Sequence, residues 1–270
     1  MTKNERNKTR RRQHRTVRTV IGRIGAFLLA AAMTGMFGSC ESPNIPTDPS
    51  LPPVSAPWTS GQSLVCFGTS LTYGYYWEDP VWKPRMADTV IRYTPSTAYP
   101  ALLAKTLTIP VYNAGFVGAR TDRALKIVRE EVLVCRPALV LLEFGANDFL
   151  QGVPDSVTGV LLGNLIDTLK NNGSAVILLS FLNETMIAAV QASSPLAGRT
   201  EEAYRYLRML QRTAESRNVL LVEQTMNGIY WNESYLSPDQ LHPNAAGYRM
   251  MQHNISTYLA STFRINGMVK

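Results

Sequence analysis

The chain reads Leu139-Val-Leu-Leu-Glu-Phe-Gly-Ala-Asn-Asp148 near its middle, a short and mostly apolar run that ends in glycine and polar side chains. A helical pattern follows at Val157–Asn171, where apolar residues recur at a 3.6-residue period. A short apolar run before an amphipathic helix is typical of a strand inside a parallel sheet, because helices cover both faces of such a sheet. This stretch therefore indicates an α/β fold.

The same alternation of short apolar runs and longer helical patterns extends from Ser63 almost to the C-terminus. It predicts five strands, at Leu64–Phe67, Pro110–Asn113, Leu139–Phe144, Ala175–Ser180 and Val219–Val222. It predicts helices between and after them, at Tyr99–Leu107, Thr121–Val134, Val157–Asn171, Glu201–Arg217 and Asn244–Phe263. Consecutive βα units imply a five-stranded parallel sheet covered on both faces, with ligands at the carboxyl ends of the strands. We assign residues 61–270 to this one domain.

The N-terminal segment has a different composition from the rest of the 270 residues. Residues 1–39 hold nine Lys and Arg against one Glu, a local charge of +8 that leaves −1 for residues 40–270. The basic stretch is followed by an apolar run at Ile24–Phe37, which is shorter than the ~20 residues of a membrane-spanning helix. This layout predicts an exported protein with a signal peptide over residues 1–39 rather than a permanent anchor, and no nucleic-acid partner.

A cysteine follows the apolar run, in the order Phe37-Gly-Ser-Cys40, and this resembles a bacterial lipobox. The resemblance implies cleavage before Cys40, a lipid on its sulfur, and a lipoprotein of the cell envelope held at the membrane. Residues 40–60 are rich in Pro and Ser and predict a tether without a core. The alternative is simple cleavage and secretion.

The other two cysteines, Cys66 and Cys135, have apolar neighbours. This setting predicts buried free thiols, although export would permit a disulfide. The cysteine spacing matches no metal site, so we expect no metal.

Polar residues follow several of the predicted strands. The first strand leads to Gly68-Thr-Ser-Leu71, the second to Asn113-Ala-Gly-Phe-Val-Gly118, and the third to Gly145-Ala-Asn-Asp148. A further group, Asp239-Gln-Leu-His242-Pro243, precedes the last helix. Each group alone has an ordinary explanation as a turn or a helix cap.

Together, in order and spacing, these four groups resemble the SGNH (GDSL-type) hydrolases, most closely the branch of thioesterases, arylesterases and lysophospholipases. The resemblance covers about three quarters of the chain and implies a three-layer α/β/α flavodoxin-like sandwich. It also implies ester hydrolysis with neither a metal nor an organic cofactor. The chain departs from the family at Thr69, where the motif that names it has Asp.

The resemblance assigns Ser70 as the nucleophile, His242 as the base and Asp239 as the residue that orients the imidazole. It assigns an oxyanion hole to the backbone N–H groups of Ser70 and Gly118 and to the side-chain amide of Asn147. Asp148 is expected to support the structure. These roles correspond to the nucleophile, proton acceptor and anion donors that acyl transfer requires.

The substrate is less clearly indicated. An aromatic segment follows the nucleophile turn, and within it Tyr75 and Trp77 are candidate substrate-binding residues. We expect a small-molecule acyl ester or thioester, a lysophospholipid or an acylated glycan. A carbohydrate O-deacetylase or acyltransferase is an alternative on the same fold, and a non-catalytic binding module is a third hypothesis.

Overall fold

A computed structural model describes residues 62–76, 95–107, 109–190, 194 and 196–262. The expected signal peptide, the tether with Cys40, and Trp77 lie outside the described residues.

The described residues contain a five-stranded sheet in which every neighbouring pair is parallel. The spatial order is β2-β1-β3-β4-β5. In chain order the strands are β1 (Ser63–Gly68), β2 (Val111–Gly115), β3 (Pro137–Glu143), β4 (Ala175–Leu179) and β5 (Leu220–Val222). The predicted α/β fold with a parallel sheet is confirmed.

Eight α-helices lie in the described residues. In chain order they are α1 (Ser70–Tyr73), α2 (Tyr99–Ala104), α3 (Thr121–Glu131), α4 (Ala146–Leu150), α5 (Asp155–Asn171), α6 (Glu184–Ala188), α7 (Thr200–Ser216) and α8 (Ala245–Thr262). Helix α2 packs against α8, whereas α3, α5 and α7 pack side by side. Since crossovers between parallel strands are right-handed, these two groups cover opposite faces of the sheet. The expected three-layer sandwich is therefore present.

The core lies between the sheet and these helices. All six residues of β1 are buried, as expected for a central strand with helices above and below it. Helix α5 contributes the apolar face that its sequence period predicts, with Leu162, Leu165, Ile166 and Leu169 fully buried.

The register of the sheet brings three strand ends to the same level. Gly68 at the end of β1 pairs with Gly115 of β2 and with Glu143 of β3. A Cβ atom on Gly115 would lie 2.1 Å from the backbone nitrogen of Tyr73, so only glycine allows α1 to sit on this edge. The loops that leave these three strands therefore share one crevice.

Some boundaries differ from the sequence-based expectation. Helices α1, α4 and α6 were not predicted, because four or five residues are too few to show a helical period. The helix predicted to reach Val134 ends at Glu131, and a short 3₁₀ turn follows at Leu133–Cys135. Arg136 closes that turn in the left-handed region, with φ at 46°.

The two cysteines of the domain differ. Cys66 is a free thiol buried in β1, as predicted, and burial raises its pKa so that the thiol stays protonated. Cys135 is disulfide-bonded, so the expectation of a free thiol is wrong for that residue. None of the described helices is long and apolar enough to cross a membrane.

Candidate active site

Ser70 lies at the carboxyl end of the central strand, as the first residue of α1. The chain leaves β1 at Gly68, is extended at Thr69, turns through α1 and ends that helix at Gly74 in the left-handed region. The Ser70 hydroxyl oxygen is 2.8 Å from Nε2 of His242, although the two residues are 172 positions apart in the chain. The fold thus brings the predicted hydroxyl and imidazole into hydrogen-bond contact.

His242 is held by a tight loop before α8. Asp239 Oδ1 accepts the backbone N–H groups of Leu241 at 3.0 Å and of His242 at 2.9 Å. Gln240, between Asp239 and Leu241, has a left-handed φ of 57°. Ser237 closes the loop by donating its N–H to the His242 carbonyl at 2.7 Å. These bonds fix both the loop and the direction of the imidazole.

The same carboxylate contacts the imidazole ring. Asp239 Oδ2 is 2.7 Å from His242 Nδ1. An ionised carboxylate only accepts hydrogen bonds, so Nδ1 must carry the proton and a neutral ring leaves Nε2 free to accept from Ser70. Burial opposes ionisation of Asp239, but the hydrogen bonds from His242 and Leu241 oppose this effect, and the Asp239 pKa lies below its usual value. The chain of contacts is therefore polarised from hydroxyl to carboxylate.

Two tyrosines pack around this arrangement. The Tyr75 ring lies edge-on to the His242 ring, with 4.6 Å between the centroids. Tyr248 of α8 donates its hydroxyl to the Tyr75 carbonyl at 2.6 Å and lies 3.4 Å from the Ser70 carbonyl. Because Tyr75 packs against the imidazole, only 6% of its surface is exposed, and it offers little free surface for contact with a substrate. A substrate-binding role for Tyr75 and Trp77 stays a prediction.

Gly118 and Asn147 come from the strand ends on either side of β1. Gly118 follows β2 in a turn closed by the Ala119 N–H and the Phe116 carbonyl, and its φ of 74° requires glycine. Asn147 lies in the first turn of α4 and donates one amide hydrogen to the Ala119 carbonyl at 2.9 Å. This bond connects Asn147 to the residue that follows Gly118, so the two predicted oxyanion donors are held close together. The second amide hydrogen of Asn147 is not used by this bond.

Asp148, next to Asn147, has a different environment. Its Oδ2 accepts both the backbone N–H of Thr121 at 3.0 Å and the Thr121 hydroxyl at 3.1 Å. The carboxylate thus holds the start of α3 against α4. Burial raises the pKa of Asp148, which the Thr121 hydrogen bonds partly offset.

Glu143 is a residue of this region that the sequence analysis did not single out. It is the last residue of β3, is 2% exposed and bonds to Thr69, the neighbour of Ser70. The signal was present, since a single carboxylate in an otherwise apolar buried strand is unusual. Within the described part of the chain, no group of three or more His, Cys, Asp or Glu side chains could hold a metal ion.

Comparison with known proteins identifies the family. Residues 66–250 match the model of the GDSL-like lipase/acylhydrolase family. An arylesterase of Vibrio mimicus is 25% identical over 190 residues, which cover 70% of this chain and 84% of the relative.

Solved structures share the fold. The crystal structure of TesA superposes with a TM-score of 0.59 and 21% identity, over 74% of this chain and 99% of that one. The esterase EstA of Pseudoalteromonas sp. gives a TM-score of 0.59 and 18% identity, over 75% and 98% of the two chains. The family match spans more than half of the sequence and includes every predicted site residue of the domain, which confirms the SGNH resemblance. The chain therefore belongs to the GDSL-like lipase/acylhydrolase family of ester hydrolases.

Proposed function

We propose that this protein hydrolyses small acyl esters through an acyl-enzyme on Ser70. The observation that carries the proposal is the continuous contact from Ser70 Oγ to His242 Nε2 at 2.8 Å and from His242 Nδ1 to Asp239 Oδ2 at 2.7 Å. A serine hydroxyl is a weak nucleophile until a base takes its proton, and this contact supplies the base.

The reaction has two halves. Ser70 Oγ attacks the ester carbonyl while its proton passes to His242 Nε2, and the imidazolium that forms is stabilised by Asp239. His242 then gives this proton to the departing alcohol as the acyl–serine ester forms. In the second half a water molecule attacks that ester, its proton passes to His242, and the acid leaves as the proton returns to Ser70.

The negative charge on the carbonyl oxygen needs donors at both tetrahedral stages. We assign this role to the N–H groups of Ser70 and Gly118 and to the Asn147 amide. As the first residue of α1, Ser70 has an N–H without an acceptor inside the helix. Asn147 uses one amide hydrogen on Ala119, which fixes the direction of the other.

A panel of p-nitrophenyl esters of increasing acyl length tests the proposal. We expect Ser70-dependent turnover and covalent labelling of Ser70 by a fluorophosphonate. Turnover that rises with chain length favours lysophospholipid-like substrates, whereas acetate alone favours O-deacetylation of a glycan. Product analysis with an added sugar alcohol separates hydrolysis from acyl transfer. If the protein is not labelled and turns over no ester, the proposal is contradicted and a binding module is favoured.

Replacing Asn147 tests the oxyanion hole. We expect Asn147→Ala to lower kcat by about 10²–10³-fold, because one donor to the developing charge is lost. The matched control is Asp148→Ala, which removes the carboxylate that holds Thr121 and is expected to cost about 1–3 kcal/mol of stability. Steady-state kinetics and thermal unfolding of both variants provide the measurement. Wild-type kcat in folded Asn147→Ala would remove Asn147 from the hole.

We also propose that the protein is exported. The basic leader and the apolar run after it support this, and so does the disulfide at Cys135, because disulfides persist in oxidising compartments. Apart from the free thiol Cys66, Cys40 is the one cysteine of the chain that could pair with Cys135, so we expect its sulfur to carry no lipid, although Phe37-Gly-Ser-Cys40 resembles a lipobox. Fatty-acid labelling in a bacterial host and mass spectrometry of the cysteines test this. A label that Cys40→Ser abolishes would show a lipoprotein instead, and an uncleaved protein kept in the cytoplasm would contradict export.

A further inference from the structure

Glu143 accepts hydrogen bonds from residues on both sides of Ser70. Its Oε2 atom accepts the Thr69 N–H at 2.9 Å and the Thr69 hydroxyl at 2.8 Å. The same atom accepts the Thr72 hydroxyl at 3.2 Å. Thr69 directly precedes Ser70 and Thr72 lies in the same short helix, so one carboxylate fixes the turn from which the hydroxyl of Ser70 projects.

The surroundings of the carboxylate leave almost no tolerance for movement. A Cβ atom on Gly68 would lie 2.1 Å from Thr72 Oγ1 and 2.8 Å from Glu143 Oε2. Thr72 Oγ1 also lies 3.2 Å from the Tyr99 hydroxyl, which ties the turn to α2. The position of Ser70 is therefore set by a packed network of hydrogen bonds in which the carboxylate is the acceptor.

Among the described residues, the charge of Glu143 has no basic partner. It takes part in none of the ion pairs found among the described residues. The titratable groups that its charge influences are four buried tyrosines, which come from α2, α7, the segment before α8, and α8: Tyr99, Tyr206, Tyr230 and Tyr248. Burial raises the pKa of each of them, so they remain neutral near pH 7. Within the part of the chain that the structure describes, the negative charge is therefore stabilised by hydrogen bonds and not by an ion pair.

Such a charge is costly for the fold. Burial raises the pKa of Glu143 from 4.5 to about 7, although the Thr69 and Thr72 hydrogen bonds oppose the shift. The unfolded carboxyl ionises near its ordinary pKa, so the folded state binds more protons between these values. Its stability contribution consequently falls as the pH rises from about 4.5 to about 7. A carboxylate that weakens the fold when ionised, beside a nucleophile, is a candidate for a functional role.

We propose that Glu143 is a positioning residue for Ser70 and that it acts as the carboxylate, by gathering the Thr69 and Thr72 donors around one oxygen. This inference rests on the proposed function of Ser70. A protonated carboxyl accepts hydrogen bonds more weakly than a carboxylate, so protonation weakens the bonds from Thr69 and Thr72 that fix the turn. Full activity therefore requires Glu143 in its deprotonated form.

The pH dependence of Glu143→Gln tests this inference. For a p-nitrophenyl ester read at an isosbestic wavelength, log(kcat/KM) of the wild-type protein is expected to fall on the acid side with a slope that approaches 2. In Glu143→Gln the slope is expected to approach 1, because one of the two groups whose protonation lowers the rate has been replaced by an amide. We also expect kcat to fall by about 10–100-fold with KM nearly unchanged, since a misplaced nucleophile lowers the rate more than binding.

Stability measurements separate positioning from simple structural support. We expect the melting temperature of Glu143→Gln, relative to the wild-type protein, to rise between pH 5 and pH 8, because Gln carries no buried charge. A variant that gains relative stability with pH and still reacts slowly would match a positioning role. The positioning role would be overturned if folded Glu143→Gln kept the wild-type kcat and an acid-side slope of 2. It would also be overturned if the loss of activity only followed the fraction of unfolded protein.

A second pair of variants covers the case in which Glu143→Gln does not fold. Thr69→Val removes the hydroxyl donor to Glu143 but keeps the backbone N–H, and we expect kcat to fall by about 3–10-fold, in line with one lost hydrogen bond. Thr69→Ser restores the donor and is expected to recover most of that loss. Equal kcat values in the two variants would overturn the inference. Failure of the proposed function is recognised independently, because wild-type Ser70 would then not react with a fluorophosphonate.

Discussion

We expect Ser70→Ala to lower kcat for a small ester by about 10⁶-fold while the protein stays folded. The substitution removes only the oxygen that lies 2.8 Å from His242 Nε2, and a Cβ atom remains in the buried turn. Without this oxygen no acyl-enzyme can form, and only direct attack by water assisted by the oxyanion donors is left. Initial rates with p-nitrophenyl acetate and intact mass after fluorophosphonate treatment measure the loss.

The matched control for this variant is Ser174→Ala. Ser174 is also buried, but it precedes β4 at the opposite end of the sheet and donates its hydroxyl to the Pro137 carbonyl. We expect this variant to keep its labelling and most of its kcat. The double variant Ser70→Ala/His242→Ala is expected to be no slower than Ser70→Ala, because the two residues act as one unit. Retention of more than about one hundredth of kcat by Ser70→Ala would reject Ser70 as the nucleophile.

The second large effect is expected for Asp239→Asn, which should lower kcat by about 10⁴-fold. The new amide oxygen can still accept the N–H groups of Leu241 and His242, so the loop is preserved. Its NH₂ group would face His242 Nδ1, which favours the tautomer that carries the proton on Nε2. That tautomer cannot take the proton of Ser70. Kinetics at several pH values, with circular dichroism to verify folding, provide the measurement.

Asp167→Asn is the control for this substitution. Asp167 pairs with Arg217 on the partly exposed surface of α5 at 3.0 Å, and such pairs contribute little to stability. We expect its kcat to stay within about twofold of the wild-type value, since it lies in a surface ion pair. A loss below about tenfold in Asp239→Asn would mean that Asp239 does not orient the imidazole.

Much of the fold could be predicted from sequence because its elements repeat a simple pattern. The five apolar runs and the long helices produce clear periodic signals, and their ends shifted by only a few residues in the structure. The residues of the candidate site could be predicted for a related reason. Strand ends in a parallel sheet meet at one edge, so polar groups after each strand could be expected to gather there.

Other parts of the site depend on three-dimensional packing that no local pattern records. The role of Glu143 follows from the register that places it level with Gly68, and the sequence gives no sign of this pairing. Tyr75, a candidate substrate-binding residue, packs edge-on to His242, and no sequence pattern predicts this contact. That contact depends on where the loop before α8 returns to the sheet. Long-range contacts of this kind decide which side chains near a nucleophile remain exposed.

The wide separation of Ser70 and His242 in the chain has a consequence for the timing of activity. Tyr248 makes a second contact of the same long range, because its hydroxyl bonds to the carbonyl of Tyr75, 173 positions earlier. A growing polypeptide therefore contains Ser70 long before it contains His242, and the contact between them forms only once the C-terminal part of the chain has folded back onto the sheet. If the chain is threaded through a membrane unfolded, the proposed catalytic pair is absent during transit and assembles afterwards.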